Sequence, residues 1–177
     1  TILMGANDVC TSSEATMTPV NTFRTQFQTA LNTLTAGLPN ADIFVLSIPD
    51  IYHLWAILKD EPVAVLRWST FSICQSMLAN ATSMAQTDVD RRARVRQRNI
   101  DFNAVLGEEC ALRTNCRFDN NAVFNTQFLA SDVSTLDSFH PSTAGQTKLA
   151  AGTWDSDGDG VVDGADNCPA WPNPTQA

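Results

Sequence analysis

Asp137-Ser138-Phe139-His140-Pro141 places a carboxylate three residues before an imidazole and a proline directly after it. Pro141 suits the first turn of a helix, where its missing N–H would be unpaired anyway. His140 is therefore expected where a loop enters a helix, with Asp137 folded back against it. A carboxylate that accepts from one ring nitrogen leaves the other nitrogen free as a base. The chain holds one other histidine, His53, which reads as a pocket wall or a surface residue.

A second group of chemically competent residues lies in the acidic tail. With Asp155 as position one, carboxylates fall at positions one, three, five, nine and twelve: Asp155, Asp157, Asp159, Asp163 and Asp166. Gly160 stands at six, where a Ca²⁺ loop turns sharply, and Val161 at seven, where a backbone carbonyl ligates. Hard oxygens at this spacing suit Ca²⁺ better than Mg²⁺. Asp166 stands where a bidentate Glu is usual.

The elements that must position these groups come next. The chain has 177 residues, 44% hydrophobic and 17% charged, which predicts a globular domain with a small appendage. Five of the eight net negative charges lie in the tail, leaving −3 for residues 1–154, so a nucleic-acid partner is not expected. No apolar run reaches the roughly 18 residues of a transmembrane helix. There is no signal-peptide pattern, and Thr1-Ile2-Leu3-Met4 reads like the middle of a buried strand, so a fragment or processed product is expected.

Thr1–Met4 then runs into the polar turn Gly5-Ala6-Asn7-Asp8. Thr18 as N-cap and Pro19 in the first turn open a helix whose inner face carries Val20, Phe23, Phe27, Ala30, Leu31 and Leu34. Ile43–Ile48 is a nearly continuous apolar strand. Strand, helix, strand with short joints is the βαβ unit of a parallel sheet. Ile51–Trp55 is expected on the loop after that strand, and one or two short helices within 62–85. A long helix is expected from Asp88 to about Leu106, with Val89, Ala93, Ile100 and Ala104 inward. Arg91, Arg92, Arg94, Arg96 and Arg98 on it read as a solvated face rather than a phosphate site. Ala122–Phe124 reads as a short last strand, and Pro141 to about Gly152 as the closing helix. Composition shifts at Trp154, which places a boundary at about 153: domain 1–153 and tail 154–177.

The five cysteines lack CxxC spacing, so disulfides fit better than a zinc site. Cys110–Cys116 and Cys10–Cys74 are the expected pairs, with Cys168 left odd.

Residues 155–176, with Asp166-Asn167-Cys168-Pro169 after the loop, resemble the thrombospondin type 3 repeat. The resemblance implies a structural Ca²⁺, and a partner for Cys168 in a following repeat. Gly5-Ala6-Asn7-Asp8, Ser47-Ile48-Pro49-Asp50-Ile51, Asp137-Ser138-Phe139-His140 and Pro141…Gly145…Leu149-Ala150 resemble, in order, blocks of the SGNH (GDSL) hydrolase superfamily. The resemblance spans about 1–152. It implies an α/β fold, flavodoxin-like and three-layered (α/β/α) around a parallel sheet, here partial and lacking the first strands.

It further implies a serine esterase or lipase in which His140 is the base and Asp137 orients it. Asn7 would donate to the oxyanion, Gly5 would let the backbone turn at the site, and no cofactor would serve the chemistry. The Asn-Asp-Val-Cys and Ser-Ile-Pro-Asp stretches resemble phospholipase B-like members, which together with the aromatic-rich Tyr52–Trp55 loop implies acyl or lipid esters; the expected disulfides point to a secreted protein. The family's Gly-Asp-Ser block occurs nowhere in the chain. The nucleophilic serine is therefore expected in a missing N-terminal part of the same domain, this chain alone is expected to be inactive, and its unpaired first strand would invite association. The rival readings are a non-catalytic extracellular calcium-binding or adhesion module and a carbohydrate acetyl esterase.

Overall fold

The computed structural model describes residues 1–153 together with 161, 162, 165, 167, 168, 174 and 175. Asp155, Asp157, Asp159, Asp163 and Asp166 of the expected calcium loop lie outside the described residues; Val161 is described, in a bend.

The chain is mixed α/β around a small parallel sheet. β1 (Ile43–Val45) is central and pairs in parallel with β2 (Cys116–Phe118), Ile43 opposite Cys116 and Val45 opposite Phe118. On its other edge β1 takes up the N-terminal segment: the Ile2 N–H donates to the Phe44 carbonyl at 2.7 Å and the Leu46 N–H to the Ile2 carbonyl at 2.9 Å. The expected parallel strand at the N-terminus is thus a single bridge in register with β1.

Helices supply the rest. α1 (Ala6–Val9) follows the N-terminal segment, and α2 (Val20–Gly37) connects to β1. α3 (Ile51–Leu58), α4 (Pro62–Thr70) and α5 (Gln75–Leu78) follow, then the long α6 (Gln86–Ala111) that leads to β2. α7 (Ala122–Asn125) and α8 (Thr143–Thr153) are the last α-helices among the described residues.

α2 forms as its periodicity predicts, burying Phe23, Phe27 and Leu31. Phe23 stacks on Phe102 of α6 with ring centroids 4.1 Å apart. Arg24 reinforces the contact, donating to Glu109 at 2.7 Å and pairing with Glu108 at 2.5 Å, while Gln28 donates to Glu109 at 3.0 Å. The residue before the helix is Pro19, not Thr18; the Thr18 hydroxyl instead donates to Asp8 at 2.7 Å and ties α1 down.

Several expected elements differ. Ile51–Trp55 is helical, because Asp50 caps α3 by accepting from the N–H groups of Tyr52 and His53. Ala122–Phe124 is helical rather than a strand, because Asn120 and Asn121 at positive φ turn the chain away from the sheet; β2 comes earlier, at Cys116. Pro141 is not in the first turn of α8 but bridges Val133, and the Ser142 hydroxyl caps the helix by accepting from the Gly145 N–H at 3.2 Å.

The inward stripe of α6 also differs. Ala93 and Ala104 are exposed and Ile100 is 39% exposed. The buried face instead runs Arg92, Val95, Asn99, Phe102, Asn103, Val105, Leu106, Glu109 and Cys110. Four polar side chains sit on it, which is why a hydrophobic pattern could not find it. Nor are the arginines one solvated face. Arg92 is buried over the Trp55 ring at 4.3 Å, and Arg91 donates to the carbonyls of Gln75, Ser76 and Ala79.

Both expected disulfides are present, Cys10–Cys74 and Cys110–Cys116. The first closes 64 residues and the second 6, so loop entropy assigns about 4 and about 2 kcal/mol to them.

α8 lies close against the turn at 130–133. A Cβ on Gly145 would stand 2.2 Å from the Asp132 carbonyl and 3.1 Å from Pro141. Nothing lies within 4 Å of such an atom on Gly152 in the same helix. Gly145→Ala should therefore destabilise the protein by about 1–3 kcal/mol through overpacking. Gly152→Ala should be neutral or stabilising by up to about 1 kcal/mol through helix propensity. Urea unfolding of the two variants checks both signs.

Candidate active site

Two turns meet at the C-terminal side of the sheet. The first begins at Gly5, whose φ of 105° is left-handed. A Cβ there would meet the Ile48 side chain at 2.7 Å and the Phe23 ring at 3.0 Å. Only glycine both adopts the angle and fits over the core. α1 then stands on buried Val9, is hydrogen-bonded to Thr18 through Asp8, and is clamped to α5's start by Cys10–Cys74. Asn7 projects from it as an exposed residue.

The second turn carries His140. The Asp137 carboxylate accepts the N–H groups of Phe139 at 2.9 Å and His140 at 3.1 Å through one oxygen. Its other oxygen lies 2.6 Å from His140 Nδ1. An ionised carboxylate only accepts, so Nδ1 carries the proton and the neutral ring offers its lone pair at Nε2. Burial pushes the Asp137 carboxyl up, but the ring hydrogen bond and the two backbone N–H groups outweigh it and hold it below its ordinary value. The His140 side chain is 73% exposed, and Phe139 packs edge-on to it, with centroids 5.1 Å apart.

Both turns open on one cavity of ≈ 210 Å³. Its walls are mostly apolar: Leu3, Met4 and Ala6 from the first turn, Pro49, Ile51 and Leu54 from the start of α3, and Phe128, Val133, Phe139, Pro141 and Leu149 from the C-terminal part. Its polar members are Asn7, Asp50, Asp132 and His140. Two of these are committed elsewhere. Asp50 caps α3 and pairs with Arg96 at 2.7 Å; Asp132 accepts from the Leu129 N–H and from Lys148. Among the described residues, neither the Asn7 amide nor His140 Nε2 has a hydrogen-bond partner. The cavity therefore presents one free base and one free donor to whatever enters it.

The sequence-predicted residues thus fall together: Gly5 shapes the first turn, Asn7 and His140 line the cavity, and Asp137 stands behind His140. His53 does not join them; its Nε2 lies 2.9 Å from the Phe128 carbonyl, so it supports the cavity wall. Sequence reasoning missed Asp132 with Lys148, and Arg67 with Trp68, which contact the His140 turn from α4. No local pattern marks them, because their partners are distant in the chain. No group of three or more His, Cys, Asp or Glu able to hold a metal occurs among the described residues.

The backbone N–H of Leu129 and the Lys148 ammonium hold the Asp132 carboxyl below its ordinary value as well. A carboxyl depressed in the folded state stabilises it fully above the unfolded value of about 3.9, and that stability is lost as pH falls through the lower folded value. Asp132 and Asp137 both lie between α7 and α8; Glu14, hydrogen-bonded to Arg94, and Asp88, hydrogen-bonded to Ser83 and Arg91, are held down as well. Urea midpoints should therefore be flat above about pH 5 and fall below about pH 4. Asp137→Asn, which cannot titrate, should show a shallower acid loss than the native chain.

A family model described as GDSL-like lipase/acylhydrolase matches residues 1–152, which include both turns and the whole cavity. No curated protein and no solved structure gives a match. Through residues 1–152 the chain belongs to the GDSL-like lipase/acylhydrolase family.

Proposed function

We propose that this chain is the C-terminal part of a secreted SGNH-type serine esterase or lipase of the phospholipase B-like kind, hydrolysing acyl or lipid esters. The observation that carries the reading is the shared cavity: an imidazole nitrogen and an amide, without partners among the described residues, face a mostly apolar space. In the proposed reaction His140 Nε2 takes the proton of a serine hydroxyl as the oxygen attacks the ester carbonyl. Asp137 holds the ring and stabilises the imidazolium. The Asn7 amide donates to the oxyanion of the tetrahedral intermediate. The imidazolium then protonates the departing alcohol, leaving an acyl-enzyme, and water repeats the sequence to release the acid.

No serine lines the cavity among the described residues, and no Gly-Asp-Ser triplet occurs in the chain. The proposal therefore puts the nucleophile in sequence preceding Thr1, on a strand added beside Ile2, and leaves this chain alone inactive. Secretion is supported by the two disulfides, which persist in oxidising compartments. The acyl preference over acetylated sugar is supported by the apolar walls.

In the serine-bearing protein, His140→Ala should lower kcat by about 10²–10⁴-fold. Asn7→Ala should lower it by about 10²–10³-fold, with KM little changed. Across nitrophenyl esters, kcat/KM should rise by up to about fourfold per added methylene until the cavity is full. A profile that peaks at acetate would refute the acyl reading. Turnover by the 177-residue chain that His140→Ala abolishes would refute the missing nucleophile.

The tail is proposed to be a thrombospondin type 3-like repeat binding Ca²⁺ in a structural role. Asp155, Asp157, Asp159, Asp163 and Asp166 with the Val161 carbonyl would supply, by their spacing, an all-oxygen donor set of the kind Ca²⁺ takes. Calorimetric titration should find one Ca²⁺ per chain, and Asp157→Asn with Asp159→Asn should weaken it at least tenfold. Unchanged binding in that pair of substitutions would refute the site.

A further inference from the structure

We infer that Trp68 and Arg67 of α4 are positioning residues for His140, acting through Ser138; this rests on His140 being the base proposed above.

Most hydrogen bonds of the His140 turn are internal to it. The Ser134 N–H donates to the His140 carbonyl, the Ser138 N–H to the Ser134 carbonyl, and Asp137 binds its own neighbours. Such a turn can keep its shape and still shift as a body. Among the described residues, two hydrogen bonds fasten 134–140 to a distant part of the chain, and both end on Ser138. The Trp68 Nε1–H donates to the Ser138 carbonyl at 2.8 Å, and Arg67 Nη1 to the Ser138 hydroxyl at 2.9 Å. Trp68 is completely buried in the core, so its N–H is a fixed point.

Ser138 also needs holding. Its φ is 57°, a left-handed angle that a non-glycine residue keeps only when its surroundings enforce it. That angle turns the chain between Asp137 and Phe139, which lets the Asp137 carboxylate reach the N–H groups of Phe139 and His140 and the ring beyond. α4 thus enforces the backbone angle on which the Asp137–His140 pair depends. It touches neither the cavity nor the ring, and α4 residues are absent from the cavity walls.

The test has two readouts. The first is the downfield NMR resonance of the His140 Nδ1 proton in the 177-residue chain, which needs no catalysis. The second is ester hydrolysis by the serine-bearing protein. Trp68→Phe keeps an aromatic core residue and deletes the donor. Arg67→Ala deletes the other donor at a half-buried site without touching the core, and Arg67→Lys restores one. Both deletions should broaden or remove the resonance and lower kcat about ten- to a hundredfold with KM changed less than about twofold, as expected for a displaced base.

Arg67→Lys should recover most of the loss. Arg67→Ala with Ser138→Ala should be no worse than either alone, because one contact is removed in all three. A sharp resonance and unchanged kcat in Arg67→Ala and in folded Trp68→Phe would overturn the inference. So would full additivity of Arg67→Ala with Ser138→Ala, which decides the matter even if Trp68→Phe does not fold. Absence of turnover in the native protein would instead refute the esterase reading, and the resonance would still report on α4.

Discussion

Beyond Leu46, whose N–H still reaches the Ile2 carbonyl, the central strand loses its neighbours, yet Ser47 and Ile48 are fully inaccessible. A buried N–H and carbonyl without partners would cost several kcal/mol. Asn103 of α6 supplies both, accepting from the Ile48 N–H at 2.7 Å and donating to its carbonyl at 3.0 Å. Asn99, one turn earlier, accepts from the Ile51 N–H at 3.3 Å. Two side-chain amides thus do for this segment what a further strand would do. The rest of the candidate site depends on that grip. Gly5 fits over the Ile48 side chain, Pro49 and Ile51 form the cavity floor, and Asp50 is placed to cap α3.

The same helix explains the chain's unusual use of charge. Arg92 sits over the Trp55 ring and donates to the Ser83 carbonyl at 2.6 Å; burial pushes its guanidinium down from its ordinary value. Arg91 gathers the carbonyls that end α5, and Arg96 holds the Asp50 carboxylate that caps α3. Glu109, buried at the other end, is held by Arg24 and Gln28 of α2. These charges join elements with too little apolar surface to be held by burial alone. Irregular connections dominate between α3 and α6 and again between β2 and α8, so their carbonyls need donors from elsewhere.

Legibility followed the range of the interactions. α2 was readable because Phe23, Phe27 and Leu31 repeat at helical spacing. The Asp137–His140 contact was readable because an Asx-type turn needs only chain neighbours. The Cys110–Cys116 disulfide was readable because it closes a short loop, and Cys10–Cys74 was the second pair expected. The α6 interior was not, since Arg92, Asn99, Asn103 and Glu109 occupy inward positions that apolar periodicity assigns to solvent. Nor was α3, whose capping residue Asp50 also reads as the end of a strand. Pro141 was misplaced because the residue that caps α8 is Ser142, whose hydroxyl is one residue further on.

By itself the sequence determined a parallel α/β unit, two local turns with the right chemical groups, and the turn geometry around Asp137. Each rests on contacts between residues close in the chain, where spacing alone dictates geometry. Only the tertiary structure decided that Asn7 and His140, from opposite ends of residues 1–153, open on one cavity, and that α4 grips Ser138. Those depend on the order of the strands around β1 and on how α1 packs on α6 and α4 on α5. No local pattern records the meeting of surfaces that far apart in the chain.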